Sequence, residues 1–483
     1  MTTTTTPAPS RRRWWALGLI AAAQFMVIMD TSIIGVALPR MQEDLGFTPS
    51  NLSWVFNAYV IAFGGLLLLG GRLSDLFGAR RLFVTGWVIL LVGSVVAGAA
   101  GNVMIELSGR VIQGAGAALI APSALTLLMM LFGATPKELT RALALYGAAA
   151  PAGGTAGVFL GGLITEYASW PWVFYVNIPV AIVAIFSARS LLPGGSGGAR
   201  GSIDILGALT ATLGLGALVY GIVRAPEAGW GSLETLIAVG GGVLLIVLFL
   251  VIQARSRNPL MPLSIFRAPR LGAANVAQFF LGGAWIPMWF FLNLYLQQVL
   301  GYSAFPSGAA LLPMTALVML AMIVLAPRVI ARFGMKMPIV AGLLLLAAGL
   351  GWLSMVRPDG TYLVDVLPAS LVAALGMSLA FIPSLGTAIS AARPDEGGLA
   401  SGIVNTSYQV GSALGLAAMT AVAASFGADR IGDLPALTEG YSAAFLGSAA
   451  VALVGGMLTL AFFRRSRSAD VSASDRDEEP AMS

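Results

Sequence analysis

The chain of 483 residues contains no cysteine and no histidine. The first absence excludes disulfides, thiolate nucleophiles and cysteine metal sites. The second removes the imidazole base, and with both gone the common zinc and haem ligand sets are excluded. No metal site is expected. Charge is scarce too: 10% of residues are charged against 57% hydrophobic, and the mean hydropathy is +0.86. A soluble surface needs far more charge, so most of this one must face lipid. Lys137 and Lys336 are the only lysines, and the net charge of +5 reflects loop arginines rather than a nucleic-acid site. The chain also lacks G-x-x-x-x-G-K-[ST], which excludes ATP as energy source. Gly114 and Gly116 lie within an apolar run and read as packing. No cofactor is expected; a proton gradient remains, worth about 2.3 kcal/mol per charge per 100 mV.

What is present is a series of apolar runs. About 20 such residues cross the hydrocarbon, and on that rule fourteen helices are predicted. Six cover 14–38, 51–71, 81–100, 104–131, 139–164 and 171–192. Two more cover 203–223 and 234–254, and the last six 271–298, 307–327, 337–356, 364–391, 398–425 and 440–463. The first run is longer than a signal-peptide core and is read as a retained helix. This order places 22 of the 27 lysines and arginines on the side of the N-terminus. Arg40, Arg224, Arg357 and Arg430 fall on the other side, and Arg110 inside a helix. Positive charge marks the cytoplasmic face, so both termini are expected in the cytoplasm and the protein in the cytoplasmic membrane.

The organisation follows: a disordered cytoplasmic start (1–13), a six-helix bundle (14–192), a Gly/Ser linker (193–202) and two inserted helices (203–254). A basic cytoplasmic linker (255–270), a second six-helix bundle (271–463) and an acidic cytoplasmic tail (464–483) complete it.

The two bundles are related by an internal repeat. Gly71-Arg72-Leu73-Ser74-Asp75-Leu76-Phe77-Gly78-Ala79-Arg80-Arg81 recurs 256 residues later as Pro327-Arg328-Val329-Ile330-Ala331-Arg332-Phe333-Gly334-Met335-Lys336. Arg72, Phe77 and Gly78 match Arg328, Phe333 and Gly334, Arg80 falls opposite Lys336, and Val84 and Gly86 match Val340 and Gly342. Two repeated apolar halves are the architecture of many secondary transporters.

The first copy resembles the loop signature of the major facilitator superfamily, G-x-L-[AS]-D-x-x-G-x-[RK]-[RK], in Gly71, Leu73, Ser74, Asp75, Gly78, Arg80 and Arg81. The resemblance implies a conformational latch on the cytoplasmic side. Gly78 permits a tight turn, and Asp75 can face a helix N-terminus or an arginine of the other half. The second copy has Ala331 in place of Asp75, which makes the latch asymmetric. Asp30 through Pro39 (DTSIIGVALP), with Trp54, Ala58 and Tyr59, resembles the fourteen-helix drug:proton antiporters. Arg110 to Ala117 (RVIQGAGA) is similar to the R-x-x-Q-G-x-G-A signature. Trp170 to Pro179 (WPWVFYVNIP) resembles W-R-W-x-F-x-x-N-x-P, with Pro171 in place of the arginine. Gly153, Gly157 and Gly161, with Gly154 and Gly162 beside them, resemble the antiporter signature G-x-x-x-G-P-x-x-G-G, with Val158 where proline is expected. The glycines repeat every four residues and let helices approach closely. The resemblance covers about residues 14–463 and implies an all-α membrane protein of major facilitator fold. Its helices are ordered six plus two plus six about a pseudo-twofold axis.

Ionisable residues deep in the membrane cost about 2.5–3.5 kcal/mol on insertion scales, so each is a functional candidate. Asp30 sits mid-way along the first helix, and Arg110 in the fourth has Glu106 one turn before it. Three such groups around one cavity can exchange partners. Asp30 is expected to take a proton from outside and release it inside, with Arg110 as switching partner. The alternative is a permanent buried ion pair. Glu106 is read either as a third proton-coupling group or as a rim charge.

The ninth helix has no acid at the place of Asp30. It carries Asn275, Gln278, Gly282, Trp285, Trp289 and Asn293 at spacings of three and four, a polar-aromatic stripe. The thirteenth repeats it with Ser401, Asn405, Tyr408 and Ser412, Gln409 adjacent. Amides and aromatics facing a cavity suit large amphipathic ligands; the other reading is interhelical hydrogen bonding. Gln113, Gln278, Trp285, Trp289, Asn293, Asn405, Tyr408 and Gln409 are the candidate substrate residues.

The expected activity is proton-driven export of drug-like or antibiotic-like amphipathic compounds by alternating access, by a monomer. The main rival on the same fold is a dedicated exporter of one endogenous metabolite or of a lipid. A polytopic enzyme would need clustered acids, His or Cys, and a sensor an added soluble domain; neither pattern is present.

Overall fold

The computed structural model of the chain describes residues 10–194, 204–256, 259–264, 269–391 and 397–477. Residues 1–9 of the expected N-terminal tail, 195–202 of the glycine linker and 478–483 of the acidic tail lie outside them.

Helices α1 (Ser10–Leu45), α2 (Trp54–Phe77), α3 (Ala79–Gly98), α4 (Val103–Phe132), α5 (Pro136–Tyr167), α6 (Trp172–Tyr175) and α7 (Asn177–Leu191) form the first part. Next come α8 (Ile205–Ala228) and α9 (Leu233–Arg255). The last part holds α10 (Pro269–Leu294), α11 (Ala304–Leu320), α12 (Ala326–Phe333), α13 (Lys336–Leu353), α14 (Leu367–Ala391), α15 (Gly397–Ser425) and α16 (Leu434–Asp477). Among the described residues thirteen helices are long and apolar enough to cross a membrane. The segment expected at 398–425 is α15, a 29-residue helix outside that set. Its Asn405, Ser407, Tyr408, Gln409 and Ser412 dilute its apolar content.

Local chemistry explains the boundaries. Asn102, Asp204 and Ser232 each accept a bond from the backbone three residues on, satisfying one orphan donor at the starts of α4, α8 and α9. α1 continues through Pro39 to Leu45, past the expected end at 38, and stops at Gly46 with φ +74°. α16 runs to Asp477, past the expected end at 463, since neither Pro nor Gly interrupts 464–477. The repeat survives in three dimensions. Gly78 (φ +93°) and Gly334 (φ +69°) take the same position between consecutive helices. Their amides donate to Ser74 O (2.9 Å) and Ile330 O (2.8 Å). A side chain is strained at such a φ, which is why glycine stands at both.

Packing is densest within each part: α3 on α4, α1 on α5 and α2 on α4 in the first, α10 on α15 and α16 and α13 on α14 in the last. α8 and α9 pair with each other, and α8 also rests on both α2 and α15. One hydrophobic core joins the N-terminal half of α1 (Ala16 to Met29) to α2, α3 and α4. The other joins the distal part of α1 and the start of α2 (Ile33, Val36, Met41, Val55, Phe56) to α10, α14 and α16. The two halves thus meet at the end away from the N-terminus, where Phe56 meets Phe290 edge-on at 6.0 Å. α2 and α15 continue the contact inward, with Ala413 and Ala417 in the first core and Leu68 facing Gly402.

Candidate functional site

The site is assembled on α1 by its close contact with α5. A Cβ at Gly153, Gly157 or Gly161 would lie 2.3 Å from Phe25 O, 2.8 Å from Met29 O or 2.5 Å from Ile33 O. The three glycines therefore bring α5 onto the backbone of α1 on either side of Asp30. Gly162 faces the other half, where a Cβ would lie 2.9 Å from Ala304 O.

Asp30, Arg110 and Gln113 are fully buried and Asn177 is 1% exposed. Arg110 Nη1 donates to Asp30 Oδ2 at 2.7 Å and to Gln113 Oε1 at 2.7 Å. Gln113 Nε2 donates to Asp30 Oδ1 (3.1 Å) and to Ser94 Oγ (2.9 Å), and Asn177 Nδ2 donates to Asp30 Oδ1 (2.7 Å). Arg110 Nε donates to Val55 O at 2.9 Å, and its guanidinium carbon lies 4.5 Å from the Tyr59 ring centroid. Four helices and a helix start thus contribute to one network, in which α4 and the start of α7 bond the carboxylate itself. Truncating one member of such a pair costs about 3–5 kcal/mol, because the other charge is left buried alone.

Glu106 is fully buried, so it is not a rim charge. Among the described residues neither of its oxygens has a hydrogen-bond partner, and Arg110 Nη2 has none either. It stands in the first turn of α4, where the helix dipole favours an anion by about 1 kcal/mol. An unpartnered buried charge costs several kcal/mol, which outweighs the dipole.

The candidate substrate residues do not converge on one place. Gln113 stands inside the charge network. Gln278 Nε2 donates to Ser384 Oγ (2.8 Å) and Phe381 O (3.2 Å) on α14, and Tyr408 meets Phe381 edge-on at 5.7 Å. Trp285 is 6% exposed within the core, and Trp289 packs against that core. Asn293 is buried and donates to Trp289 O at 2.7 Å; Gly35 of α1 faces it closely. Gln409 packs on Gly64 of α2, and Asn405 is half-buried on α15. The side chains of Ser401 and Asp75 lie outside what the structure describes. At the signature turn Gly71 faces Pro122 and Arg81 is exposed. Arg80 Nη1 donates to Leu192 O at 3.4 Å, at the end of α7 in its own half.

Asn177 and Ser94 were not singled out as site residues. Asn177 had a signal, the one amide in the W-P-W-V-F-Y-V-N-I-P stretch; the break at Val176 between α6 and α7 turns it into the core. Ser94, one serine in an apolar run, had none. Gln297 and Gln298 were missed as well. They lie in a π-helical segment at the end of α10 (Tyr295–Val299). Gln297 donates to Val36 O and Gln298 to Gln42 Oε1, each at 3.0 Å. Tyr441 donates to Gln298 Oε1 at 2.6 Å.

Two repeated halves of membrane-length helices, with a buried charge network inside the first, define a polytopic membrane protein of transporter architecture. The chain belongs to the Major Facilitator Superfamily, whose family model matches residues 20–416. It is 38% identical to the cephamycin export protein CmcT of Amycolatopsis lactamdurans, over 92% of this chain and 91% of that protein. It is 37% identical to the puromycin resistance protein of Streptomyces alboniger, over 93% and 91%. The solved structure of the POT family transporter PepTSo superposes with a TM-score of 0.68 at 16% identity, covering 96% of this chain and 99% of that one. At that identity the likeness concerns the fold alone.

Proposed function

We propose that the protein is a secondary active exporter of hydrophobic or amphipathic drug-like and antibiotic compounds, driven by proton antiport through alternating access. The observation that carries the reading is the buried Asp30–Arg110 pair, bonded to Gln113 and Asn177. A transporter keeps so costly a pair in the membrane for a charge that changes. The antibiotic export and resistance proteins among its relatives support the cargo class. On this reading Asp30, Arg110 and Glu106 couple to protons, and Gly71, Asp75, Gly78, Arg80 and Arg81 act as the latch. The stripes of α10 and α15 contact cargo. The protein is a monomer of fourteen membrane crossings, six plus two plus six, without cofactor, catalytic activity or nucleic-acid partner. It lies in the cytoplasmic membrane with both termini inside, and the Phe56–Phe290 end then faces outward.

Efflux of ethidium-like cations and of a neutral antibiotic from energised cells tests the reading. Transport should collapse with a protonophore and with Asp30→Asn; efflux that survives both refutes proton coupling. A second reading, export of one endogenous metabolite, draws support from relatives named for single antibiotics. It predicts that one compound of a broad panel moves and the rest do not. Orientation is read by single cysteines in this cysteine-free chain. Glu43→Cys should react with an impermeant maleimide in intact cells, and Arg332→Cys only after permeabilisation; the reverse pattern overturns the assignment.

A further inference from the structure

The two buried acids of the first half are held in opposite ways. Three N–H donors point at Asp30, from Arg110, Gln113 and Asn177, which is the surrounding of an ionised carboxylate. Among the described residues no donor bonds Glu106, and its two oxygens are buried and unbonded, which is the surrounding of a neutral acid. One arginine links them. Arg110 spends Nη1 on Asp30 and keeps Nη2 buried without a partner. Glu106 lies four residues earlier on the same helix, the spacing at which side chains meet.

Resting on the proton-coupling reading above, we infer that Asp30 and Glu106 share a single proton, held by Glu106 in this conformation, and that Arg110 turns from Asp30 to Glu106 as the proton crosses over. The step balances. The O–H bond of Glu106 breaks and an O–H bond forms on Asp30. Arg110 exchanges one carboxylate for the other, and the three groups sum to zero charge before and after. A buried cluster that keeps its total charge avoids the cost of a lone ion at every stage.

The charged groups acting on Glu106 are Arg110 on its own helix and Asp30 on α1. From α2, Tyr59 lies under Arg110 with its hydroxyl buried and unbonded. On α3, Arg80 and Arg81 are at the other end of the helix. From α5, Glu166 is engaged with the Phe305 amide at 3.4 Å. Asp30 and Arg110 are therefore the partners available to Glu106 within the network.

Infrared spectroscopy of the purified protein in lipid tests the relay through the carbonyl stretch of a protonated carboxylic acid. The parent should have this band. Glu106→Asp should shift it, Glu106→Gln should abolish it, and Asp30→Glu should leave its frequency unchanged. Asp30→Asn should abolish it as well, because Arg110 then pairs with Glu106 and ionises it. A band that moves in Asp30→Glu but not in Glu106→Asp places the proton on Asp30 and overturns the proposal. A parent without the band overturns it too, and a band that persists in Asp30→Asn leaves Glu106 a static neutral acid and removes the relay. The Glu/Asp exchanges keep both carboxyls, so the assignment does not depend on whether Asp30→Asn folds. Parent efflux with a protonophore separates the two failures. Gradient-independent export overturns the coupling reading and the relay with it. Gradient-dependent export with the band on Asp30 overturns the relay alone.

Discussion

Adding a methyl group to α5 at adjacent glycines should have opposite consequences. At Gly153 a Cβ would lie 2.3 Å from Phe25 O, whereas at Gly154 the nearest atom, Ser32 Oγ, would be 3.7 Å away. Ordinary contact begins near 3.4 Å, so Gly153→Ala must part α1 and α5 by about 3.4 − 2.3 = 1.1 Å, and Gly161→Ala by about 3.4 − 2.5 = 0.9 Å. Asp30 rides on that stretch of α1, and its bonds of 2.7–3.1 Å do not survive a shift of this size. Overpacking costs about 1–3 kcal/mol, against about 1 kcal/mol that alanine gains over glycine within a helix. Gly154→Ala keeps the gain without the clash, so the two variants should differ by about 1–3 kcal/mol in stability. Export should fall on the order of 10²-fold in Gly153→Ala, the usual loss for a 1 Å misplacement in a reacting site. Thermal unfolding in detergent and drug efflux measure the two effects. If Gly154→Ala were as damaging as Gly153→Ala, the account of α5 as the strut that positions Asp30 would be wrong.

Asn177→Ala removes one of three donors from a charged acceptor and should cost about 1.5–3 kcal/mol, visible as a lower melting temperature together with reduced efflux; parental behaviour in both would refute its role. Gln298→Ala breaks the bonds to Gln42 and Tyr441 at about 1 kcal/mol each. With the Phe56–Phe290 end loosened, a single cysteine at Leu52, 1% exposed, should react with maleimide at least about tenfold faster. Unchanged reactivity would mean that apolar packing alone holds that end shut.

Much of the site could be read from residue types that have no business in lipid. Asp30, Glu106 and Arg110 stood out because membrane helices rarely carry such groups, and Gly153, Gly157 and Gly161 because four-residue spacing puts them on one face. Gly78 and Gly334 were marked by the repeat, and both take the positive φ that the turn requires. The helix ends were less legible. The first helix was expected to end at 38, yet α1 passes Pro39, since a proline interrupts one backbone bond and the residues beyond it supply the rest. Gln297, four residues past Asn293, continues the polar stripe of the ninth helix, whereas Gln298 stands one position off it, and the π-helical segment is what turns both toward α1.

The sequence by itself determined that this protein lives in a membrane, that it has two related halves, and which buried charges they contain. Those properties follow from composition and local periodicity, since the cost of a charge or an unbonded amide in hydrocarbon depends little on the rest of the fold. Only the tertiary structure decided who pairs with whom. Gln113 and Asn177 reach Asp30 from two helices distant in the chain, with Ser94 of a third behind Gln113, while Glu106, four residues from Arg110, is left unbonded among the described residues. Hydrogen bonds demand ångström precision between helices, and that precision is set by packing such as the seating of α5 on α1, which no single helix encodes.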